Sequence, residues 1–187
     1  MEKFKNKGLA KLISKMAKVD QLERMKVKQK QKLAPGLVKA DMVHLRQMKR
    51  IVSKYGWPTR KLVGKRASHL AWLLVQHADN DVRFQEYCLK LIKETMKDDE
   101  VTKKQVAFLT DRVLVNKGMS QIYGTQFYVD KNGKIIPKPI FNFPHLDDRR
   151  KIMGLGSFKE YIIEIERGWK NESSKGELSK KDRNNYS

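Results

Sequence analysis

Apolar residues recur every three or four positions through most of the first 118 residues, and this spacing is typical of amphipathic α-helices. In the first such segment, about Lys7–Lys32, the recurring residues are Leu9, Leu12, Ile13, Met16, Val19, Leu22 and Met25. The Ala-Pro-Gly sequence at 34–36 interrupts the pattern, and a second helix is predicted over about Val38–Tyr55. Gly56 and Pro58 end that helix, because glycine favours a helix C-cap and proline cannot continue a helix.

Three further helices are predicted before residue 118. The third, Ser68–Ala78 with Ser68 as its N-cap, is apolar on nearly all sides, so we expect it to be buried. The Asp-Asn pair at 79–80 is suited to cap a fourth helix that runs to about residue 97. Thr102 and Gln105 have the spacing of a capping box at the start of a fifth helix.

After residue 118 the helical period is lost. Residues 126–129 and 135–136, joined by a turn containing Asn132-Gly133, predict a small β-hairpin. Two short helices follow, about Leu146–Met153 and Ser157–Arg167. The sequence therefore predicts a mainly α-helical fold: a compact domain of about five to seven helices with one β-hairpin near residues 126–136.

The chain is expected to divide into a basic N-terminal helix (1–36), a helical core with the hairpin (37–168) and a disordered tail (169–187). Its net charge of +20 is concentrated in residues 1–68, which hold 20 Lys/Arg and 4 Asp/Glu. Such a segment attracts polyanions, whether RNA, DNA or an anionic lipid surface. The alternative is a solvated, lysine-rich surface.

The single cysteine, Cys88, excludes an internal disulfide and fits a reducing compartment. No apolar run approaches the roughly 20 residues that cross a bilayer, and the basic N-terminus lacks the pattern of a secretory signal. We therefore expect a cytoplasmic protein without a transmembrane segment.

Polar side chains interrupt the apolar helices of residues 56–127, and buried polar groups need partners. In the third helix His69, Trp72 and Gln76 share one face. His77 lies about 80° round the helix from His69, within reach of a common cavity. Because imidazole titrates near neutral pH, both histidines are candidate general acids or bases. The alternative is that they are core residues held by backbone carbonyls or carboxylates.

Asp41 and His44 lie on the apolar stripe of the second helix, so we expect them to point inward. Asp41 can orient an imidazole or accept hydrogen bonds from Arg112; alternatively, it is a carboxylate stabilised by the helix dipole. Asp111 and Arg112 are adjacent in the fifth helix and cannot share a face, so each needs its own partner. They are candidates for a site or for structural ion pairs.

Gln121, Tyr123 and Gln126 precede the hairpin, where amides and a phenol suit a polar ligand or a loop closed by its own hydrogen bonds. A metal site is the alternative use of the histidines and Asp111, but their spacing is not that of an i, i+4 pair and no metal-binding motif is present. We therefore predict neither metal nor cofactor. Cys88 lies on an inward stripe, which is typical of a buried thiol.

Six segments occur in the order GWPTRKLVG, AWLLVQHAD, FLTDRVLV, QIYGTQF, PKPI and DDRRKIMGL. They resemble a bacterial domain family of unknown function, whose members share a pattern close to GWP, HxAWLLxQHAD, LxDRV, QxYGTQ, PxPI and DxRRxxxGL. The resemblance covers about residues 17–165, and it implies a grouping without a mechanism. Its polar positions coincide with the candidates above, except that the family often has an amide residue at the position of His44. Many members are not strongly basic, so the basic N-terminal segment is particular to this protein.

These observations predict a small-molecule enzyme or ligand-binding domain with a polar pocket between helices two, three and five and the loop 121–126. In an enzyme, His69 or His77 would carry a proton for hydrolysis or group transfer. Asp111 would orient the histidine, while Arg112 and Gln126 would hold a small polar or anionic ligand. The alternatives are a nucleic-acid-associated protein that binds through residues 1–68, and a partner-binding protein whose polar core is structural. The sequence does not decide whether the protein is an enzyme.

Overall fold

The structure, a computed structural model, describes residues 5–30, 35–96 and 102–168, and this part of the chain is mainly helical. A final helix, α7, spans residues 158–168. The other elements are α1 (Lys7–Lys30), α2 (Pro35–Tyr55), α3 (Arg60–Gln76), α4 (Val82–Thr95), α5 (Lys103–Asn116), β1 (Phe127–Val129), β2 (Ile135–Pro137), a 3₁₀ helix (Phe143–His145) and α6 (Leu146–Ile152). The predicted fold class is therefore confirmed. The predicted tail, residues 169–187, lies outside the described residues.

The N-terminal helix contributes directly to the core. α1 packs against α3 and α2, and the apolar face predicted from its spacing is buried. Its core residues are Leu9, Ala10, Ile13, Met16 and Ala17. They join the buried residues of α2 to α5 in one apolar cluster. Among the described helices, none is long and apolar enough to cross a membrane.

The start of α3 differs from the prediction. Thr59, not Ser68, is the N-cap, and its side chain accepts a hydrogen bond from the backbone N–H of Leu62. Ser68 is buried within the helix. Gly64 has a φ of 82°, so the helix is kinked there. Glycine adopts positive φ without steric cost, and the kink separates the start of α3 from the predicted segment Ser68–Ala78.

The cap of α4 also differs from the prediction. Asp81, rather than residues 79 and 80, accepts the hydrogen bond of the Phe84 N–H. The carboxylate of Asp79 instead binds Arg112 of α5. The predicted capping box of Thr102 and Gln105 is confirmed at the start of α5.

The predicted hairpin is confirmed, with β1 and β2 antiparallel and Val129 opposite Ile135. Its connection, residues 130–134, is longer than a two-residue turn. The carboxylate of Asp130 holds this connection by accepting the backbone N–H groups of Asn132 and Lys134, each at 2.8 Å. Gly133 has a φ of 78° in the same turn.

Candidate functional site

Polar side chains lie where α3 ends, at residues 76–79, and those of His77 and Asp79 bond to different parts of the protein. We call residues 76–79 the α3 corner. His77 is the C-cap of α3, and its backbone N–H donates to Leu73. The His77 side chain contacts Asp20 and Arg24 of α1, while Asp79 contacts α4 and α5.

On one side of the α3 corner, His77 belongs to a group of five titratable residues. We call Asp20, Arg24, Asp41, His44 and His77 the His77 cluster. Oδ2 of Asp20 lies 2.9 Å from Nδ1 of His77. Arg24 donates from Nη2 to Oδ1 of Asp41 at 2.7 Å and from Nε to Oδ1 of Asp20 at 3.1 Å. Asp20 and Arg24 of α1 thus contact the imidazole, and Arg24 connects them to Asp41 of α2.

The Nδ1 atom of His77 has two alternative partners. It lies 2.8 Å from Nε of Arg24 and 2.9 Å from Oδ2 of Asp20. An unprotonated Nδ1 accepts from Arg24, whereas a protonated Nδ1 donates to Asp20. In the second arrangement Arg24 still bonds to Asp20, and the neutral ring carries its lone pair on Nε2. The His77 side chain is 20% exposed, so the ring reaches the surface.

For each of the two carboxylates in the cluster, burial acts to raise the pKa and nearby positive charge acts to lower it. Burial acts to raise the pKa of Asp20, but His77 and Arg24 together lower this pKa below its usual value. The pKa of Asp41 is raised, because burial and repulsion from Asp20 outweigh the attraction of Arg24. The two neighbouring carboxyl groups therefore differ in acidity, as is common where one group must hold a proton and the other must not.

His44 adds a buried polar atom without a partner. The residue is 6% exposed, and its Nδ1 has no hydrogen-bond partner among the described residues. Burial lowers the pKa of His44, although Asp20 and Asp41 act to raise it. The amide nitrogen of Gln76, in the α3 corner, is likewise buried without a partner in the described part of the chain. Such atoms are rare in proteins and call for an explanation.

On the other side of the α3 corner, Asp79 is held by three side chains. Arg112 donates to both of its oxygens. Asn116 donates to Oδ1 at 2.8 Å, and Gln85 does so at 3.2 Å. Burial acts to raise the pKa of Asp79, but these donors, above all Arg112, lower it. Arg112 also donates to Oε1 of Gln126 at 3.0 Å, which connects the α3 corner to the loop before the hairpin.

The loop 121–126 is held from two sides. Asp111, with 0% of its surface exposed, accepts the backbone N–H groups of Ile122, Tyr123 and Thr125, as well as the Thr125 hydroxyl. Burial raises the pKa of Asp111 despite these hydrogen bonds. On the opposite edge, Arg149 donates to the carbonyl of Ile122, and Arg150 donates to the carbonyl of Tyr123 at 2.7 Å.

Gln121 closes the loop on itself. Its amide nitrogen donates to the carbonyls of Gln126 and Lys138, and its amide oxygen accepts the N–H of Gln126. Every polar atom of this side chain is therefore used within the fold. Tyr123 is half-buried and packs against the apolar core.

His69 belongs to a separate group on the surface of α3. Its ring stacks on Trp72 with centroids 5.4 Å apart. Nδ1 of His69 lies 3.3 Å from the amide nitrogen of Gln105, and Trp72 donates to the Gln105 carbonyl at 3.0 Å. The hydrogen bonds and ring contacts of His69 and His77 therefore involve different elements.

The predicted site residues thus divide into three groups: His77 with Asp41, Arg112 with Asp111 and the loop, and His69 with Trp72. Gln76, directly before His77 in the α3 corner, belongs to none of the three groups by its side-chain hydrogen bonds. The expected bond between Asp41 and Arg112 is wrong, since Asp41 binds Arg24 and Arg112 binds Asp79.

Sequence reasoning missed the residues that complete these groups: Asp20, Arg24, Gln85, Asn116, Arg149 and Arg150. The sequence contains a signal for one of these residues, Asp20. Asp20 lies on the buried stripe of α1, seven residues after Ile13 and four after Met16, where a carboxylate needs a partner.

Outside these groups, an open groove of about 650 Å³ lies between α4 and α5. Its lining combines the apolar residues Leu89, Val113, Leu114 and Ile122 with Thr110 and the charged residues Glu86, Lys90, Lys93 and Glu94. None of the predicted site residues lines it. Within the described residues, no three His, Cys, Asp or Glu side chains form a group that could hold a metal ion.

The fold and these groups define a mainly helical protein with polar networks on both sides of the end of α3. The chain belongs to a family of unknown function, DUF6624, which matches residues 4–172. No curated protein and no solved structure matches the chain.

Proposed function

We propose that the protein binds a small polar ligand beside the His77 cluster and transfers a proton to or from it, in hydrolysis or group transfer. The proposal rests on the pairing of a partly exposed His77 with a buried Asp20, at 2.9 Å. A carboxylate at Nδ1 fixes the tautomer and orientation of an imidazole, so that Nε2 can accept a proton. His77 is then the proton carrier and Asp20 the residue that positions it.

His44 of the cluster and Gln76, the residue before His77, also support ligand binding near His77. The buried Nδ1 of His44 and the amide nitrogen of Gln76 have no partner among the described residues. A bound ligand with polar atoms would supply partners for such groups. Arg24 and Asp41 complete a surface that carries both signs of charge, as a ligand with donors and acceptors requires.

We assign structural roles around the site to four further predicted residues. Asp111 and Gln121 hold the loop 121–126, and Arg112 with Gln126 connects that loop to the α3 corner. A direct role of Arg112 and Gln126 in holding a ligand is a further part of the proposal. Roles for His69 and Asp111 in proton transfer stay predictions, as do contacts of Trp72 and Tyr123 with a ligand.

The test is an NMR titration of the isotope-labelled full chain with pools of small carboxylates, phosphates and amides. His77 signals are assigned with His77→Gln, and the exposed His145 is the control histidine. We expect a bound compound to shift the His77 signals, and the affinity to fall at least tenfold in Asp20→Asn. Catalysis is then followed with bound compounds that contain an ester, amide or phosphate bond. Binding that is unchanged in His77→Gln, with the variant folded, would contradict the proposal.

The second candidate function is nucleic-acid binding through residues 1–68, favoured by their 20 basic and 4 acidic residues. It predicts that affinity for a duplex falls by about a thousandfold or more between 50 and 200 mM salt.

The third candidate function is partner binding by a protein with a structural polar core, favoured by the closed network of Asp111 and Gln121. We also propose that the protein is bacterial and cytoplasmic, and that the six-segment pattern is the signature of its family.

A further inference from the structure

The outer side of α1 carries a row of lysines. Lys7, Lys11, Lys15, Lys18 and Lys26 are all exposed. At 100° per residue they fall within an arc of about 100°, and at 1.5 Å per residue the row is about 29 Å long. The buried residues of α1 lie on the opposite side of the helix, so the row faces away from the core.

The neighbouring helix, α2, is also basic at its exposed positions. The exposed charged residues of α2 are Lys39, Arg46, Lys49, Arg50 and Lys54. Acidic residues are absent from the exposed positions of the described residues 5–27 and 36–69. The three acids in these ranges, Asp20, Glu23 and Asp41, are buried or half-buried, and each pairs with a basic residue. The charged residues at exposed positions of the hairpin formed by α1 and α2 are therefore all basic.

Aliphatic side chains are exposed at one end of the same hairpin. Leu22 and Met25 of α1 are 47% and 54% exposed, and Val38 and Met42 of α2 are 41% and 45% exposed. An added Cβ at Gly36 would lie 2.5 Å from the Glu23 carboxylate, so the start of α2 lies beside this part of α1. Single exposed aliphatics are ordinary, but four at one end of a basic hairpin need a further reason.

We propose that this basic and aliphatic face of the α1–α2 hairpin binds the surface of an anionic lipid membrane. Lysines are attracted to anionic headgroups, while aliphatic side chains enter the boundary between headgroups and acyl chains. Phosphates of a nucleic acid would also attract the lysines, but they leave Leu22 and Met25 in water. The lipid surface is the polyanion that uses both features. Arg24 and Asp41 lie at the same end of the hairpin, so membrane binding would bring the His77 cluster close to the lipid surface.

The test is sedimentation of the full chain with vesicles of phosphatidylcholine alone or with 30% phosphatidylserine. We expect binding only to the vesicles with phosphatidylserine. Each lysine near the surface contributes about fivefold to the partition coefficient, so Lys11→Glu with Lys15→Glu and Lys18→Glu should lower it at least about 100-fold. The charge-matched control, Lys131→Glu with Lys134→Glu and Lys151→Glu, should change it less than threefold. Thermal unfolding checks that both triple variants are folded.

A second variant separates lipid from nucleic acid. Leu22→Gln with Met25→Gln should lower the partition coefficient about tenfold and leave affinity for a 20-base-pair duplex unchanged. We call Lys11→Glu with Lys15→Glu and Lys18→Glu the α1 triple variant. Equal binding of the unaltered protein to both kinds of vesicle, or undiminished binding of the α1 triple variant to the vesicles with phosphatidylserine, overturns the proposal. It is also overturned if the Leu22 and Met25 variant binds vesicles like the unaltered protein while the α1 triple variant loses the duplex, because the face is then a nucleic-acid surface. This test does not depend on the proposed function of His77.

Discussion

Asp111 and Arg150 hold the same residue, Tyr123, by opposite edges of its backbone. The carboxylate accepts the Tyr123 N–H at 3.0 Å, and the guanidinium donates to the Tyr123 carbonyl at 2.7 Å. Both residues are at most 1% exposed. A loop bound on its donor edge and its acceptor edge has little freedom to move. It therefore places Gln126 in a constant position against Arg112.

Asp111→Asn should destabilise the fold by about 2–4 kcal/mol. An asparagine keeps one acceptor oxygen and turns an NH₂ group toward backbone donors, so buried N–H groups lose their partner. Urea unfolding of the variant and the unaltered protein measures the difference. Asp148→Asn, at an exposed position, is the control and should change stability by less than about 0.5 kcal/mol. Equal stability of the two variants would show that the loop does not depend on the carboxylate.

Gly124→Ala should destabilise more than Gly118→Ala. Both glycines have positive φ, 65° and 74°, so alanine is strained at either position by about 1–2 kcal/mol. At Gly124 an added Cβ would also lie 2.8 Å from the Phe158 ring, whereas at Gly118 nothing lies within 4 Å. We expect a further loss of about 1–3 kcal/mol at Gly124. Thermal unfolding of the matched pair measures it, and equal losses would mean that the ring moves aside at no cost.

The contribution of Asp20 to stability should depend on pH in a defined direction. Its pKa is lower in the folded protein than in the unfolded chain, because His77 and Arg24 outweigh burial. Its stabilisation is thus complete above the unfolded pKa of about 3.9 and is lost as pH falls through the lower folded pKa. Asp20→Asn should therefore be less stable by about 2–4 kcal/mol at pH 6, with a smaller difference at pH 3.

Denaturant unfolding of Asp20→Asn and the unaltered protein at pH 6, 5, 4 and 3 gives this difference. Asp148→Asn serves again as the exposed control and should show no comparable trend. A gap between Asp20→Asn and the unaltered protein that stays constant down to pH 3 would argue against an ionised Asp20 beside His77.

Cys88 should be unreactive in the folded protein. Its side chain is fully buried, and burial raises the pKa of the thiol to about 12. Because the thiolate is the reactive form, a disulfide reagent at pH 8 should modify it only after unfolding. The reaction is followed by absorbance with and without urea. Rapid modification of the native protein would place Cys88 nearer the surface than the fold does.

Local sequence signals predicted much of the fold. The period of apolar residues predicted α1 and α2, and the Thr102–Gln105 spacing predicted the capping box at the start of α5, because these features depend on residues within a few positions. The start of α3 was missed because Gly64 interrupts the period. The N-cap of α4 was predicted at the wrong residue. Aspartate is a favoured N-cap residue, but the Asp79 carboxylate instead accepts hydrogen bonds from Arg112, 33 residues away.

For the site, the sequence located polar residues in apolar surroundings but not their partners. Asp111 was expected to need a partner, and its partners proved to be backbone N–H groups, which no side-chain pattern reveals. His77 was singled out without Asp20, which lies 57 residues earlier.

By itself the sequence determined the helical class, the inward faces of the helices and the basic surface of the first two, since these follow from the order of residue types. Only the tertiary structure decided that Asp20 and Arg24 meet His77, that Arg112 takes Asp79, and that Leu22 and Met25 stay exposed beside the lysines. Those outcomes depend on the rotation and crossing of packed helices. A hydrogen bond is lost with a shift of about an ångström, whereas the helical period tolerates it.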